Sequence, residues 1–218
     1  MARRGVQTEA EWLASDNWEA LVDGRGAQFT QRKLRLFVCA CCRAAWHLLE
    51  HPGSRAAVEI AEQFADGAVT DTERRAAIRG ASKTIDSAGP VGSKAYHAAC
   101  AADDLINGPN LGLFDGSYLL ATALQCDPPE PLPHAALLRE IFGNPFRPVT
   151  FDPIWRTSDV MLLANGIYAE RAFERMPILA DALQDAGCDS DDILAHLRDA
   201  NATHVRGCWA LDLVLGKE

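Results

Sequence analysis

Apolar residues recur at intervals of three and four along almost the whole chain, which is the spacing of one face of a helix. No convincing stretch alternates apolar and polar residues as a half-buried strand does. Alanine, leucine and arginine, which favour helices, fill most of the positions between the apolar ones. The pattern predicts an all-α protein, a compact bundle of about ten short helices with no significant sheet.

Helix capping and breaking residues indicate where several of these helices begin and end. Thr8 and Thr70 are each followed three residues later by a glutamate, the capping box that starts a helix. A long, almost entirely apolar helix is predicted from about Thr30 to His51, where a Pro-Gly pair ends it. The last predicted helix covers residues 204–215.

The clearest break in the chain is residues 127–133, where four of seven residues are proline. Such a composition favours a stiff, extended connector. It divides the chain into an N-terminal helical part, residues 1–126, and a C-terminal helical part, residues 134–218. The sequence leaves open whether the two parts pack as one domain.

Composition and charge narrow the classes of partner. The chain has 218 residues, of which 48% are hydrophobic and 23% charged, enough to close a core without disulfides or metal. The 21 Lys and Arg against 30 Asp and Glu give a net charge of −9, which disfavours bulk nucleic-acid binding and anionic membranes. Most of the acidity is C-terminal, with twelve acids and six bases in residues 151–218.

The expected compartment is the cytoplasm. The N-terminus has two arginines without an apolar run behind them, and no apolar stretch is long enough for a membrane span. Cysteines of a reducing compartment usually serve as small buried apolar residues. We expect this role for Cys39, Cys41, Cys42, Cys100 and Cys126. The first three lie in an apolar helix, although Cys39 and Cys42 formally make a C-x-x-C motif.

Several segments resemble a large, paralogous family of uncharacterised bacterial proteins. The resemblance is carried by Lys33–Phe37 with Cys41–Arg43, Phe142–Val149, Arg175–Leu183 with Ala186–Cys188, and His204–Trp209. It implies a soluble protein whose C-terminal part recurs as a unit, and it implies no activity. Members of that family often have a cysteine where this chain has Leu197, so any role of that cysteine is absent here.

Four C-terminal residues form a candidate zinc site: Cys188, His196, His204 and Cys208, spaced C-x7-H-x7-H-x3-C. Two thiolates and two imidazoles are a common structural zinc set, and His204 and Cys208 would share one face of the last predicted helix. The spacing lacks paired C-x2-C knuckles, and Cys188 has to fold back to reach the others. The alternative is a turn cysteine, a surface histidine and a core Cys208.

A second zinc candidate is the string His47-Leu-Leu-Glu-His51, which matches the H-x-x-E-H pattern of inverted zinc peptidases. His47 and His51 would hold the metal from one helix while Glu50 activates water. The opposing interpretation is that His51, directly before Pro52, caps the C-terminus of that helix. The resemblance also speaks against the site, since related sequences carry neither Glu nor His here.

A last group of interest contains Asn144, Arg147 and Arg206. The segment around Arg147 holds two prolines and a glycine, so it presents a rigid loop from which an arginine could contact an anion or a partner. The alternative is that Arg147 bonds to carbonyl groups of its own loop.

No nucleophile and base pair can be assembled at helical spacing, so the sequence favours a non-catalytic protein-interaction or regulatory module with a protein partner. The alternatives are a zinc-binding protein with its site in the C-terminal part and, third, a zinc hydrolase using residues 47–51. Zinc is the one cofactor that the sequence suggests. The oligomeric state is left open.

Overall fold

The computed structural model describes residues 5–23, 29–85 and 133–217. All regular structure in these ranges is helical, and they contain no strand. The predicted all-α class is therefore confirmed.

Ten α-helices lie in the described ranges. They are α1 (Glu9–Ala14), α2 (Trp18–Val22), α3 (Gln31–Ala44), α4 (Pro52–Ala65), α5 (Asp71–Ile85), α6 (His134–Phe142), α7 (Ser158–Glu170), α8 (Met176–Asp185), α9 (Asp191–Arg198) and α10 (Trp209–Leu215). Short 3-10 segments occur at Trp46–Leu48, Pro153–Trp155 and Phe173–Arg175. Within the same ranges, no helix has both the length and the apolar character needed to cross a membrane.

Both predicted capping boxes are present. Thr8 Oγ1 accepts a hydrogen bond from the Glu11 N–H at 3.2 Å, and the Glu11 carboxylate accepts one from the Thr8 N–H, also at 3.2 Å. Thr70 and Glu73 repeat the arrangement at 3.3 and 2.7 Å. Because these bonds satisfy amides that a helix start leaves free, they fix the first turns of α1 and α5.

Residue contacts divide the chain into two compact units, one holding residues 5–23 and 135–217 and the other residues 29–85 and 133–134. The predicted N-terminal part, residues 1–126, is thus shared between both units, and the predicted connector lies outside the described residues except for Pro133. A side chain of α6 shows why residues 5–23 group with the C-terminal residues. Arg139 donates to the carbonyl of Trp12 at 2.9 and 2.7 Å and to that of Ser15, at the open end of α1.

In the unit of residues 29–85, α3 packs on α4 and α4 on α5. Cys39, Cys41 and Cys42 are buried in α3, as predicted, and burial raises the pKa of each thiol, that of Cys42 to about 12. The buried carboxylate of Glu62 accepts hydrogen bonds from Arg43 Nε at 3.1 Å and from Arg43 Nη2 at 2.9 Å. Cys39, Cys41 and Cys42 serve packing, while Cys100 and Cys126 lie outside the described residues.

The predicted extent of α3 is wrong, and the hydrolase hypothesis depends on it. α3 ends at Ala44 rather than at His51, and Pro52 starts α4 because a missing N–H costs nothing at a first helical position. His51 caps the start of α4, its Nδ1 accepting the Gly53 N–H at 3.0 Å, so the predicted C-terminal cap is wrong as well. His47 and His51 therefore do not share a helix.

The unit of residues 5–23 and 135–217 is called the C-terminal unit below. It is built on α7 to α10, whose apolar faces meet in one core around Leu179, Leu183, Ile193 and Leu211. α6 adds Leu137, Leu138 and Ile141 to the buried apolar residues. Directly after α6, Gly143 has a φ of +69°, and the Trp209 ring lies so close that a Cβ at this position would be 3.2 Å from its Cγ. This contact places the end of α6 against the start of α10.

We predict that Gly143→Ala lowers the free energy of unfolding by about 1–2 kcal/mol, because a Cβ disfavours the left-handed conformation and meets Trp209. The matched control is Gly166→Ala in α7, where a Cβ meets nothing within 4 Å. That substitution should stabilise by up to about 1 kcal/mol, the helix propensity of alanine over glycine. Urea unfolding measures both, and equal effects of the two variants would contradict the prediction.

Candidate metal centre

Four side chains that can bind a metal converge inside the C-terminal unit: Glu140, His196, His204 and Cys208. One donor atom from each lies within 4.8 Å of all the others. They come from α6, the last turn of α9, the segment after α9, and the residue before α10. Three of them belong to the zinc set predicted from the sequence.

The local structure around His204 and Cys208 differs from the prediction. α10 begins at Trp209, not at His204, so the two residues do not share a helix face. Gly207 has a φ of +92°, which interrupts any helix there, and the Cys208 N–H closes a single turn to the Val205 carbonyl at 3.0 Å. This turn still brings His204 and Cys208 to the same cluster.

The distances describe a connected group centred on Glu140. One carboxylate oxygen, Oε1, lies 3.0 Å from His204 Nδ1, and the other, Oε2, lies 3.3 Å from His196 Nε2. The same His196 nitrogen is 3.3 Å from Cys208 Sγ. Two donors of a tetrahedral zinc site are about 3.4 Å apart, given zinc bonds of about 2.0–2.3 Å. The two contacts of His196 Nε2 already have this spacing.

The cluster is buried. The exposed fraction of the side chain is 6% for Glu140, 7% for His204 and 18% for His196, and Cys208 is 0% exposed. The rings of His196 and His204 pack edge to face, with centroids 5.1 Å apart, and the Trp209 ring lies 4.9 Å from the His196 ring. Water is therefore largely excluded from the four donor atoms.

The pKa values follow from this burial. Burial by itself raises the pKa of Glu140, yet the net shift is downward because His196 and His204 both contact the carboxylate. Burial raises the pKa of Cys208 well above its usual value, and the neighbouring Glu140 raises it further. In the metal-free chain Glu140 is thus an anion and Cys208 a thiol.

No described residue offers a hydrogen-bond partner to Nε2 of His204. With Glu140 ionised, a neutral His204 carries its proton on Nδ1 and donates it to the carboxylate. Nε2 is then a buried lone pair, which nothing in the described part of the chain contacts by a hydrogen bond. For Glu140 and His204 to hold one ion, the imidazole has to bind it through Nδ1, which lies 3.0 Å from the carboxylate, and to keep its proton on Nε2.

The same residues do not make a nucleophilic triad. In such a triad the acid orients one histidine nitrogen and the nucleophile contacts the other. Here Glu140 and Cys208 both contact Nε2 of His196. A reactive cysteine also needs an accessible thiolate, whereas Cys208 is fully buried and its pKa is raised. The arrangement fits metal binding better than acyl transfer.

Cys188, the fourth residue of the predicted zinc set, is not part of this cluster. It is buried just after α8, where its N–H bonds to the Leu183 carbonyl at 2.9 Å. Glu140 takes its place, and the C-x7-H spacing could not reveal this because Glu140 lies on a distant helix. The available signal was a carboxylate on the apolar face of α6, between Leu137 and Ile141.

The residues predicted to contact an anion or a partner each contact other residues of the chain. They are Asn144, Arg147 and Arg206. Asn144 Nδ2 donates to the carboxylate of Glu9 at 2.7 Å, and Arg147 contacts that carboxylate at 3.8 Å and Asp192 at 3.2 Å. Arg206 lies elsewhere, 4.7 Å over the Tyr168 ring.

His47, Glu50 and His51 are exposed and lie in the other unit. Among the described residues, they do not belong to a group with metal-binding spacing.

Comparisons of the chain with protein-family models, with curated proteins and with solved structures find no match. The resemblance noted from the sequence motifs stays a prediction.

We predict that Glu140→Gln costs the metal-free protein more stability at neutral pH than at acidic pH. Because the folded-state pKa of Glu140 is lowered, its contribution is present above about pH 4.5 and is lost as the pH falls through the folded-state value. Urea unfolding in the presence of a chelator, between about pH 7 and about pH 3, measures the difference. Glu59→Gln, at an exposed position of α4, is the control. A stability difference that does not change with pH would count against this account.

Proposed function

We propose that this protein binds one zinc ion through Glu140, His196, His204 and Cys208. The observation that supports the proposal is the convergence of one donor atom from each residue to within 4.8 Å in the interior of the C-terminal unit. Random surface clusters of acidic residues can also be this close, but they are exposed. This cluster is buried, and it combines sulfur, nitrogen and oxygen donors.

The donor set favours zinc over other common ions. One thiolate, two imidazoles and one carboxylate are all ligands that zinc uses, in a tetrahedral arrangement. Calcium and magnesium prefer sites made of oxygen atoms, and with six or more ligands. The site offers two nitrogen donors and one sulfur donor, so the hard cations fit poorly.

Energetics also support a bound cation. A buried carboxylate is costly unless hydrogen bonds or a positive charge compensate it, and a buried thiolate is costly for the same reason. In the metal-free chain Glu140 depends on hydrogen bonds from two imidazoles, and burial together with the charge of Glu140 raises the pKa of Cys208. A divalent cation would stabilise both the carboxylate and a thiolate at once.

The prediction of a protein-interaction or regulatory module stays a prediction. Leu162 and Ile178 are large aliphatic residues that lie exposed on the same unit as the cluster. Scattered exposed aliphatic residues are ordinary on protein surfaces, however. The buried cluster is the more specific observation, and we base the proposal on it.

We expect protein purified without added metal to contain close to one zinc ion per chain by elemental analysis. Cys208→Ser should lose this zinc on dialysis and should unfold at a lower temperature, because metal binding is coupled to folding. The matched control is Cys188→Ser, which also removes a buried thiol of the same unit but none of the four donors. This variant should keep its zinc.

Failure of Cys208→Ser to fold would not leave the proposal untested. Zinc can be titrated into the unaltered chain after its metal has been removed, and saturation at one ion per chain is expected. A zinc content near zero together with no saturable binding would refute the proposal. Equal loss of zinc from both cysteine variants would refute this choice of ligands.

A further inference from the structure

The four donors are distributed unevenly along the chain. Three of them lie within residues 196–208, and two of these, His204 and Cys208, belong to the segment of residues 199–208 that joins α9 to α10. His196 and Cys208 are twelve residues apart. An ion bound by both residues would close residues 196–208 into a loop. Loop closure removes more conformational freedom from the unfolded chain than from the folded one, so it favours the folded segment.

The joining segment has little backbone structure of its own. Its local bonds are single turns, Ala202 N–H to the Asp199 carbonyl at 3.1 Å and Cys208 N–H to the Val205 carbonyl at 3.0 Å. Its position depends on side chains. His204 contacts Glu140 at 3.0 Å, while Arg206 donates to the Tyr168 carbonyl at 3.4 Å.

The enclosure of the donors indicates the kind of site. Catalytic zinc sites use three protein ligands and keep the fourth position for water or substrate, whereas structural sites are closed by four protein ligands. Here four protein donors are present, and the most exposed of them, the His196 side chain at 18%, is partly covered by the Trp209 ring. The ligand count and the burial both correspond to a closed site.

The charges of the four ligands also indicate a closed site. A thiolate from Cys208 and a carboxylate from Glu140 carry two negative charges, and two imidazoles bound through unprotonated nitrogens carry none. A divalent cation makes the buried group neutral without a further ligand. A neutral buried group avoids the desolvation cost of a net charge in the protein interior.

We propose that the ion is held in a closed, structural four-ligand zinc site that orders residues 199–208 and so fixes the start of α10 against α6. This inference rests on the proposed zinc binding, which it extends by assigning a structural role. The ion crosslinks Glu140 of α6, His196 of α9 and the two donors of the joining segment. It does not activate a water molecule.

Two measurements on the full-length, unaltered chain test the inference. Cobalt(II) substituted for zinc should show the intense visible bands of four-coordinate cobalt and a thiolate-to-cobalt charge-transfer band, and added azide should leave them unchanged.

Hydrogen exchange followed by mass spectrometry should show residues 199–208 protected by zinc. At a free zinc concentration of 100 times the Kd, protection should be about 100-fold, and chelation should remove it. Residues 31–65 of the other unit serve as the internal control.

The outcomes separate the inference from the proposal beneath it. No cobalt or zinc binding refutes the proposed function itself. One bound cobalt whose spectrum is five-coordinate, or changes with azide, leaves metal binding in place and overturns the closed site. A closed spectrum with unchanged exchange in residues 199–208 overturns the structural role.

Discussion

The buried carboxylate of Glu140 is the constraint on which the C-terminal unit depends. A charge taken out of water has to be met by donors fixed around it. His196 and His204 supply them from α9 and from the segment after it. The residue before Glu140, Arg139, points around α6 to the carbonyls at the end of α1. The consecutive residues Arg139 and Glu140 thus connect α6 to α1, to α9 and to the segment that follows α9.

A second buried glutamate, in the other unit, shows what is unusual about the first. Glu62 is paired with Arg43 through two hydrogen bonds, the arrangement in which a guanidinium matches a carboxylate. That pair is complete as it stands, and the buried cysteines near it stay protonated thiols. In the described part of the chain, the partners of Glu140 are two imidazoles and the Cys208 thiol, all of them side chains that can bind metals. The two units therefore surround the same buried residue type with different partners.

Much of the fold follows from local signals. The apolar period of three to four identifies helices without long-range information, and the capping boxes at Thr8 and Thr70 form because their partners are three residues away. The errors occurred where a residue had two possible local roles. Pro52 can end one helix or begin the next, and the chain uses it to begin α4. The predicted helix of residues 204–215 includes Gly207, but the positive φ of Gly207 delays the start of α10 until Trp209.

The candidate site was partly predictable for the same reason. His196, His204 and Cys208 are close in sequence, so their spacing limits how far apart they can lie. Glu140 is separated from His204 by 64 positions, and such a contact depends on how α6 packs, which no spacing rule describes. Cys188 satisfied the spacing and still lies outside the cluster. A charged residue within an apolar helix face is the signal that spacing rules ignore.

The composition of the segment His204–Trp209 follows from the contacts that it makes with α6 and α7. His204 contacts Glu140, Arg206 is held at Tyr168, and Gly207 permits the turn that presents Cys208. Trp209 then packs on Gly143, where a Cβ would lie only 3.2 Å from its ring. Because His204 and Cys208 contribute to one buried cluster and Gly207 permits the turn between them, the composition of this segment follows from the cluster as well as from helix packing.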